Sequence, residues 1–197
     1  ALPICIVMNC TSLAALSRYI RTGMPLVEKC ITVDGSAVAE PKNVIAPIGT
    51  PVKYLFEFCG GFKKDPAKIL YGGPMMGIAV PDTEVPVLKG TNAVLAFDRE
   101  DAILPEPTAC IRCGKCAAHC PMRLVPLEIE RAYQLNKPEI LEREKVGLCM
   151  ECGCCAFGCP AKRPLVQVMK LSKGVLRDYQ TKKKQEAEKA AGKEESK

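Results

Sequence analysis

Eight cysteines fall into two runs of identical spacing, and these runs constrain the fold more than any other feature of the sequence. Each run reads C-x2-C-x2-C-x3-C-P, the first from Cys110 to Pro121 and the second from Cys149 to Pro160. This spacing is typical of [4Fe–4S] proteins, because three close thiolates wrap one face of the cubane and leave its fourth corner for a distant ligand. Two complete runs therefore predict two [4Fe–4S] clusters.

The fourth cysteine of each run is predicted to bind the cluster of the other run, as it does in bacterial proteins that carry two such clusters. This exchange would tie the two segments together and couple cluster binding to folding. The first predicted ligand set is Cys110, Cys113, Cys116 and Cys159, and the second is Cys120, Cys149, Cys152 and Cys155.

Other uses of these thiols fit the spacing less well. Zinc also binds four thiolates, but its usual frame is two separate C-x2-C pairs. A disulfide framework is disfavoured because the cysteine count of 13 is odd and eight of the thirteen fall into the two runs. Cys154 breaks the spacing and is not predicted as a ligand. Together with the other cysteines outside the ligand sets, it is expected to be a small buried hydrophobe: Cys5, Cys10, Cys30, Cys59 and Cys154.

The overall composition disfavours several functional classes. With 48% hydrophobic and 25% charged residues among 197, the chain is expected to form ordinary globular domains. The net charge of +6 comes with 5% aromatic residues and no tryptophan, so we expect no nucleic-acid binding. No apolar stretch is long enough to span a bilayer, so we expect no direct membrane span. No constellation around the single histidine, His119, suggests bond-making chemistry, and we predict no catalytic residue.

The expected fold class is α+β, with a small β-grasp domain followed by a mainly helical domain that holds the clusters. Residues 1–24 predict a strand at 4–8 and a helix that Asn9 or Thr11 caps and Gly23 ends. We expect this segment to be the end of an upstream α/β domain. The sequence opens at Ala1 without an initiator methionine, so we expect a fragment of a longer protein or a processed form.

Residues 25–103 predict the β-grasp domain. A helix with Thr50 as its cap and Pro51 at its first position is expected after the second strand. Asp34-Gly35 predicts a hairpin turn. The segment GGPMMG at 72–77 predicts a tight turn whose methionines fill a core or an interface. The expected strands lie at 27–33, 44–45, 69–71, 78–80 and 93–97.

Residues 104–173 predict the two-cluster domain. Two short helices that begin at Pro126 and Pro138 are expected between the cysteine runs, and another is expected to begin at Pro164. Residues 174–197 are rich in Lys and Glu and are expected to form a frayed or unfolded tail. Cations beside ligand positions stabilise the reduced form of a cluster. The candidates are Arg112, Lys115, Arg123, Lys162 and Arg163.

Several segments resemble the C-terminal part of the C subunit of the Rnf electron-transport complex. The similarity is carried by CMECGCC at 149–155 with CPAKRP at 159–164, and by CIRCGKC at 110–116. It extends to GGPMMG at 72–77 and, further upstream, to AEPKN at 39–43 and PIGTP at 47–51. It covers residues 1–173 and leaves the predicted tail unconstrained.

The resemblance implies a β-grasp domain of the soluble-ligand-binding (SLBB) type followed by a two-cluster ferredoxin domain. It implies an electron-transfer subunit that lies peripherally on the cytoplasmic face of the membrane and relays single electrons. The complex that it implies is an oxidoreductase that couples ferredoxin–NAD electron exchange to sodium or proton translocation. Its partners would be the membrane subunits and redox proteins. FMN and NAD are implied only for a region that precedes the β-grasp domain in the family, which this sequence lacks.

Two other functions stay open from the sequence. One is an iron–sulfur reductase component of a microcompartment, similar to cobalamin reductase. The other is a non-redox module in which the β-grasp domain binds a small ligand and the clusters are structural. A redox titration would separate electron transfer from a structural role, because a structural cluster need not cycle reversibly.

Overall fold

The computed structural model describes residues 6–194, with side chains as far as residue 186, and divides the chain into two compact units. The N-terminal unit is Ala1–Ile103 and the C-terminal unit is Leu104–Lys197. Residues 6–9 have no regular secondary structure, so the strand predicted at 4–8 is wrong as far as the structure describes it. Ile6 and Val7 are exposed, and the burial of alternate residues that would favour a strand is not found there.

Helix α1 (Cys10–Thr22) begins and ends at the residues that the sequence predicts. The Asn9 side chain caps it by accepting a hydrogen bond from the Thr11 N–H at 2.9 Å, so Asn9 rather than Thr11 is the cap. Gly23 ends the helix in the left-handed conformation at φ 69°, which glycine adopts without strain. Every residue of α1 is described and none is buried, so its apolar side is exposed in this unit.

One mixed sheet is formed by β1 (Glu28–Asp34), β2 (Lys42–Pro47), β3 (Lys68–Tyr71), β4 (Ile78–Val80) and β5 (Ala93–Phe97). The strand order is β2-β1-β5-β3-β4, with β1 and β5 parallel at the centre and the other neighbours antiparallel. The register places Ile31 beside Val44, and Leu70 beside Leu95. This sheet, followed by a helical unit, confirms the predicted α+β class.

Helix α2 (Val52–Phe58) covers the sheet with the face that its sequence predicts, and the positions predicted for that face are buried: Val52, Leu55, Phe56 and, just after the helix, Cys59. They form one core with Ile31, Val33, Val44 and Val94 of the strands. Pro51 occupies the cap position and no side chain caps the helix, so the prediction of Thr50 as the cap is wrong. Thr50 lies one residue earlier, where its carbonyl accepts the Val87 N–H at 2.8 Å.

The Asp34-Gly35 turn differs from the tight hairpin turn that its sequence predicts. Strands β1 and β2 do form a hairpin, but residues 35–41 connect them. Gly35 has φ 121° and lies so close to β5 that an added Cβ would stand 2.1 Å from the Ala96 carbonyl oxygen. Close approach to the neighbouring strand, rather than hairpin geometry, therefore explains the glycine.

The GGPMMG segment makes a tight turn between β3 and β4, as predicted. The Gly77 N–H donates to the Gly73 carbonyl at 2.7 Å, and Gly72 has φ 113°. Met75 is 40% exposed and Met76 53% exposed. Neither methionine therefore fills the core of this unit.

The C-terminal unit is helical, and three of its helices begin at or directly after a proline, as predicted. It contains α4 (Lys115–Ala118), α5 (Pro126–Gln134), α6 (Pro138–Arg143), α7 (Cys154–Phe157) and α8 (Leu165–Glu194); the N-terminal unit ends with α3 (Arg99–Ala102). Pro126 and Pro138 are the first residues of their helices, and Pro164 directly precedes α8. The predicted inward positions Ile129, Leu141 and Val146 are buried in one core.

Helix α8 does not end at Gly174, where the predicted tail begins. Leu176 is buried, and Val175 and Tyr179 pack against the same core. The Gln180 amide donates to the Glu142 carboxylate of α6 at 3.0 Å. Packing on α5 and α6 therefore extends the helix through a sequence whose composition favours a frayed end. Among the described residues, no helix, α8 included, is long and apolar enough to cross a bilayer.

Candidate metal centre

Two cavities in the C-terminal unit are lined by the predicted ligand cysteines. We call the first site 1; its lining includes Cys110, Cys113, Cys116 and Cys159. We call the second site 2; its lining includes Cys120, Cys149, Cys152 and Cys155. Each cavity thus takes three thiols from one cysteine run and the fourth from the other. The eight thiols divide in the same way as the two ligand sets predicted from the sequence.

The two sites are built from repeated backbone elements. Cys110 and Cys149 are 39 positions apart, and the same separation relates every other cysteine of the first run to its counterpart in the second. Helices α4 and α7 have the same offset, and each begins after a glycine in the left-handed conformation, Gly114 at φ 74° and Gly153 at φ 82°. Glycine permits this bend, which turns the chain sharply between the second and third cysteines.

Backbone N–H groups point at the thiol sulfurs. The Arg112 N–H donates to the Cys110 sulfur at 3.4 Å, and the Glu151 N–H donates to the Cys149 sulfur at 3.4 Å. Arg112 and Glu151 both have positive φ, 55° and 58°, a conformation that costs energy in a residue with a side chain. The strain turns an N–H group towards sulfur, where it stabilises a thiolate.

The chemistry of the lining fits an iron–sulfur cluster. Within residues 6–186, no three His, Cys, Asp or Glu side chains converge as the ligands of a single metal ion would. The four thiols of each site instead surround a cavity whose other walls are largely apolar, including Val125, Leu127 and Leu165 in site 1 and Leu124 and Met169 in site 2. Four soft ligands spread around an apolar space suit a polynuclear cluster.

Burial controls the protonation of several of these thiols. It raises the pKa of Cys155 to about 11, and it also raises the pKa values of Cys116 and Cys149. These thiols are therefore neutral at pH 7 before metal binds. An iron–sulfur cluster would be held by thiolates, so binding it here would remove these protons and release them to solvent.

A buried ion pair lies beside site 1, and the sequence indicates only one of its two members, Arg163. Arg163 donates from Nε and Nη2 to the Glu130 carboxylate at 2.7–2.9 Å, and from Nη1 to the Thr108 carbonyl at 3.2 Å. Glu130 is 2% exposed. The hydrogen bonds to Glu130 are the largest cause that raises the pKa of Arg163. The sequence could have indicated that Glu130 faces inward, because it lies four residues after Pro126 in α5 and residues i and i+4 share a helix face.

The other four cations predicted beside the ligands are all exposed: Arg112, Lys115, Arg123 and Lys162. Arg112 nevertheless contributes to the lining of site 1. The described linings of the two sites do not include Lys115, Arg123 or Lys162. A cation that is close to a cysteine in the sequence therefore does not necessarily line a cavity.

The cysteines outside the ligand sets have several environments. Cys59 is fully buried, as predicted, but Cys10 and Cys30 are exposed, so the prediction that they are buried hydrophobes is wrong. Cys10 is the first residue of the exposed helix α1, and Cys30 lies on the outer face of β1. Cys154 is half-buried and outside both linings, and Cys5 lies outside the described residues.

His119 also lies outside both linings. It packs against Gly158, where an added Cβ would stand 2.2 Å from His119 Nδ1. The side chain therefore fills space beside α7.

A further cavity, of about 320 Å³, lies in the N-terminal unit between α1 and β1. Arg18 and Glu28 form an ion pair at its wall. The Lys29 ammonium, also in the lining, donates to the Lys89 carbonyl.

Comparisons with known proteins agree with this division of the chain. The family model of the SLBB domain matches residues 30–79, and that of the 4Fe-4S dicluster domain matches residues 102–160. The second match includes all eight cysteines of sites 1 and 2.

Most of the chain resembles curated C subunits of ion-translocating oxidoreductase complexes. It is 41% identical over 182 residues, or 91% of its length, to the C subunit of the ion-translocating oxidoreductase complex of Rhodobacter capsulatus. It is 42% identical over 168 residues, or 85% of its length, to the C subunit of the Na(+)-translocating ferredoxin:NAD(+) oxidoreductase complex of Acetobacterium woodii. It is 41% identical over 121 residues, or 61% of its length, to the C subunit of the proton-translocating complex of Clostridium ljungdahlii.

The chain is much shorter than these relatives. It spans 35% of the length of the Rhodobacter protein, 38% of the Acetobacterium protein and 26% of the Clostridium protein. The identity nevertheless extends over nine-tenths of the chain and through both of its units. The chain therefore belongs to the family of C subunits of ion-translocating oxidoreductase complexes.

Proposed function

We propose that this chain relays single electrons through two [4Fe–4S] clusters, one in site 1 and one in site 2. The observation that carries the proposal is the lining of the two cavities, each with four cysteines drawn from both runs. The proposed ligands are Cys110, Cys113, Cys116 and Cys159 in site 1, and Cys120, Cys149, Cys152 and Cys155 in site 2. A bound [4Fe–4S] cluster supplies one-electron chemistry, accepting and returning one electron at a time.

The residues around each site have two tasks in this function. Apolar side chains such as Leu165 in site 1 and Met169 in site 2 keep water from the cavity wall. The N–H groups of Arg112 and Glu151 hold partial positive charge against sulfur, which stabilises added negative charge. A fixed polar environment of this kind needs little rearrangement when charge changes, which favours fast electron transfer.

We further propose that the chain acts within a membrane-associated complex. Its relatives are named as subunits of ferredoxin:NAD(+) oxidoreductase complexes that translocate sodium ions or protons. By analogy, the chain would serve as a peripheral subunit on the cytoplasmic face, in contact with membrane subunits and redox proteins. FMN and NAD would bind in a region that precedes the SLBB domain in longer family members.

Metal analysis of the anaerobically reconstituted protein tests the cluster proposal. We expect about eight irons and eight labile sulfides per chain, as two cubanes require. The absorption should bleach with dithionite and return on oxidation over repeated cycles. Stoichiometric zinc without iron uptake would contradict the cluster assignment. Clusters that assemble but do not cycle would support the structural alternative.

A further inference from the structure

The charges around the two sites differ although their backbones are equivalent. Arg112 and Glu151 stand 39 positions apart, have the same left-handed conformation and donate the same N–H···S hydrogen bond. Their side chains carry opposite charges. Arg112 lines site 1, and Glu151 lines site 2.

A second pair of equivalent positions differs more strongly. In site 1 the lining includes Glu130 and Arg163, which form the buried ion pair. The residues 39 positions away are Met169 and Leu124, which line site 2 and are both buried. The repeat therefore places two ionised groups against site 1 and two apolar side chains at the matching places of site 2.

Site 1 consequently has the more positive lining. Its ionised groups are Arg112, Arg163 and Glu130, two cations against one carboxylate. The ionised side chain in the lining of site 2 is Glu151, whose charge is offset by the Lys173 ammonium at 2.6 Å. Because Glu130 is almost fully buried, its charge and that of its partner act through a medium that screens them less than water does.

Backbone hydrogen bonds do not reverse this difference. In site 2 the Leu124 N–H donates to the Cys120 sulfur at 3.3 Å. In site 1 the Leu127 N–H bonds to Cys116, where it opposes the effect of burial on the pKa of that thiol. The N–H groups of Ala117 in site 1 and Ala156 in site 2 act in the same way on Cys116 and Cys155. Both sites therefore have backbone donors besides those of Arg112 and Glu151, and the side-chain charges remain the main distinction.

We propose that these side chains give the cluster in site 1 a higher reduction potential than the cluster in site 2. The proposal rests on the proposed function, since it requires a cluster in each site. Reduction adds one negative charge to a cluster that is already anionic, and nearby cations stabilise the product. The first electron delivered to the chain therefore resides in site 1. Glu130 and Arg163 act as tuning residues of that site.

A redox titration followed by electron paramagnetic resonance tests the proposal on the anaerobically reconstituted full chain. The wild-type protein should show two one-electron steps. Glu130→Gln keeps the size of the side chain and an acceptor for Arg163 but removes the negative charge, so the step at higher potential should shift upward. Arg112→Gln, at an exposed position that leaves the backbone donor in place, should shift the same step downward. Glu151→Gln should raise the step at lower potential.

Glu128→Gln is the matched control, because Glu128 is on the same helix as Glu130 but lies half-exposed in an ion pair with Arg131. It should move neither step. Variants that move neither step, or move both equally, would overturn the proposal while leaving the two clusters established. A shift of the lower step by Glu130→Gln would overturn it as well. A wild-type protein that binds no clusters would instead contradict the proposed function. If Glu130→Gln loses iron, the exposed Arg112→Gln and the Glu151→Gln variants still decide the result.

Discussion

Cys159 lines the same cavity as Cys110, although the two residues belong to different cysteine runs. The reciprocal exchange places Cys120 with Cys149, Cys152 and Cys155. Each run passes through a short helix, α4 or α7, that contains its third cysteine and ends before its fourth, so the fourth thiol is directed away from the first three. Each cavity therefore takes three thiols from one run and one thiol from the other run.

Ligand substitutions test this crossing. Cys159→Ser should give the same spectroscopic change as Cys110→Ser, and Cys120→Ser the same change as Cys149→Ser, because each pair shares a cavity. Electron paramagnetic resonance of the reduced variants distinguishes the two signals. Cys154→Ser is the control, since its thiol is adjacent to Cys155 in sequence but outside both linings, and it should retain both signals. If Cys159→Ser matches Cys149→Ser instead, ligation is local to each run.

The isolated chain should not take electrons directly from NADH. Hydride transfer delivers two electrons, whereas each cluster accepts one, so a flavin is needed between them. We expect the absorption of the reconstituted 197-residue chain to bleach with dithionite and to remain unchanged with NADH. Addition of a flavoprotein NADH dehydrogenase should restore bleaching. Rapid bleaching by NADH alone would reveal a nicotinamide site in this chain.

Gly35→Ala should destabilise the N-terminal unit. The new Cβ would stand 2.1 Å from the Ala96 carbonyl oxygen, and the backbone at φ 121° is strained for any L side chain. We expect the free energy of unfolding to fall by at least about 2 kcal/mol, measured by urea denaturation. Gly90→Ala is the control, because an added Cβ there meets no atom within 4 Å, and its effect should stay below about 1 kcal/mol. Equal effects of the two substitutions would contradict the close approach of Gly35 to β5.

The Asp98–Lys64 pair should make the N-terminal unit sensitive to acid. Asp98 is buried, and its hydrogen bond to the Lys64 ammonium at 2.5 Å is the main cause that lowers its pKa below 3.8, with a second contribution from the Asp101 N–H. A lowered pKa stabilises the folded state above the ordinary carboxyl value, and the stabilisation is lost as the pH falls through the pKa of the folded state. Hydrogen exchange of the β5 amides should show this loss.

Asp98→Asn removes the titrating group and is the comparison for that experiment. The stability advantage of the wild-type protein over this variant should be full at neutral pH and should shrink as the solution is acidified past pH 3.8. Lys64→Met removes the other partner of the ion pair, so this variant should also be less stable than the wild-type protein at neutral pH. A gap between wild type and Asp98→Asn that stays constant with pH would show that Asp98 does not contribute through its charge.

Local sequence patterns predicted much of this fold because they report short-range physics. The cap at Asn9, the buried face of α2 and the helix starts at Pro126 and Pro138 each depend on residues within one or two turns. The division of the cysteines between two cavities was predicted from the known arrangement of such runs in bacterial two-cluster proteins, in which the fourth cysteine of each run binds the other cluster.

Features that depend on distant neighbours were not predictable in the same way. Glu130 and Arg163 meet across 33 positions, so neither residue signals its partner in the sequence. Leu176 lies in the segment 174–197, whose Lys- and Glu-rich composition favours a frayed helix, yet the core beneath α8 buries it. Gly35 suggested a tight turn, although contact with β5 is what requires a glycine there.

The crossed cavities impose an order on biosynthesis. When a ribosome has translated the first cysteine run, site 1 has three of its thiols and site 2 has one. Site 2 gains its last thiol at Cys155 and site 1 at Cys159, so both are completed within a few residues of each other in the second run. Iron delivered earlier meets a partial set of thiols. With the proposed ligands, cluster insertion into this unit is therefore a late and nearly simultaneous event, and a nascent chain that stops before the second run can hold neither cluster.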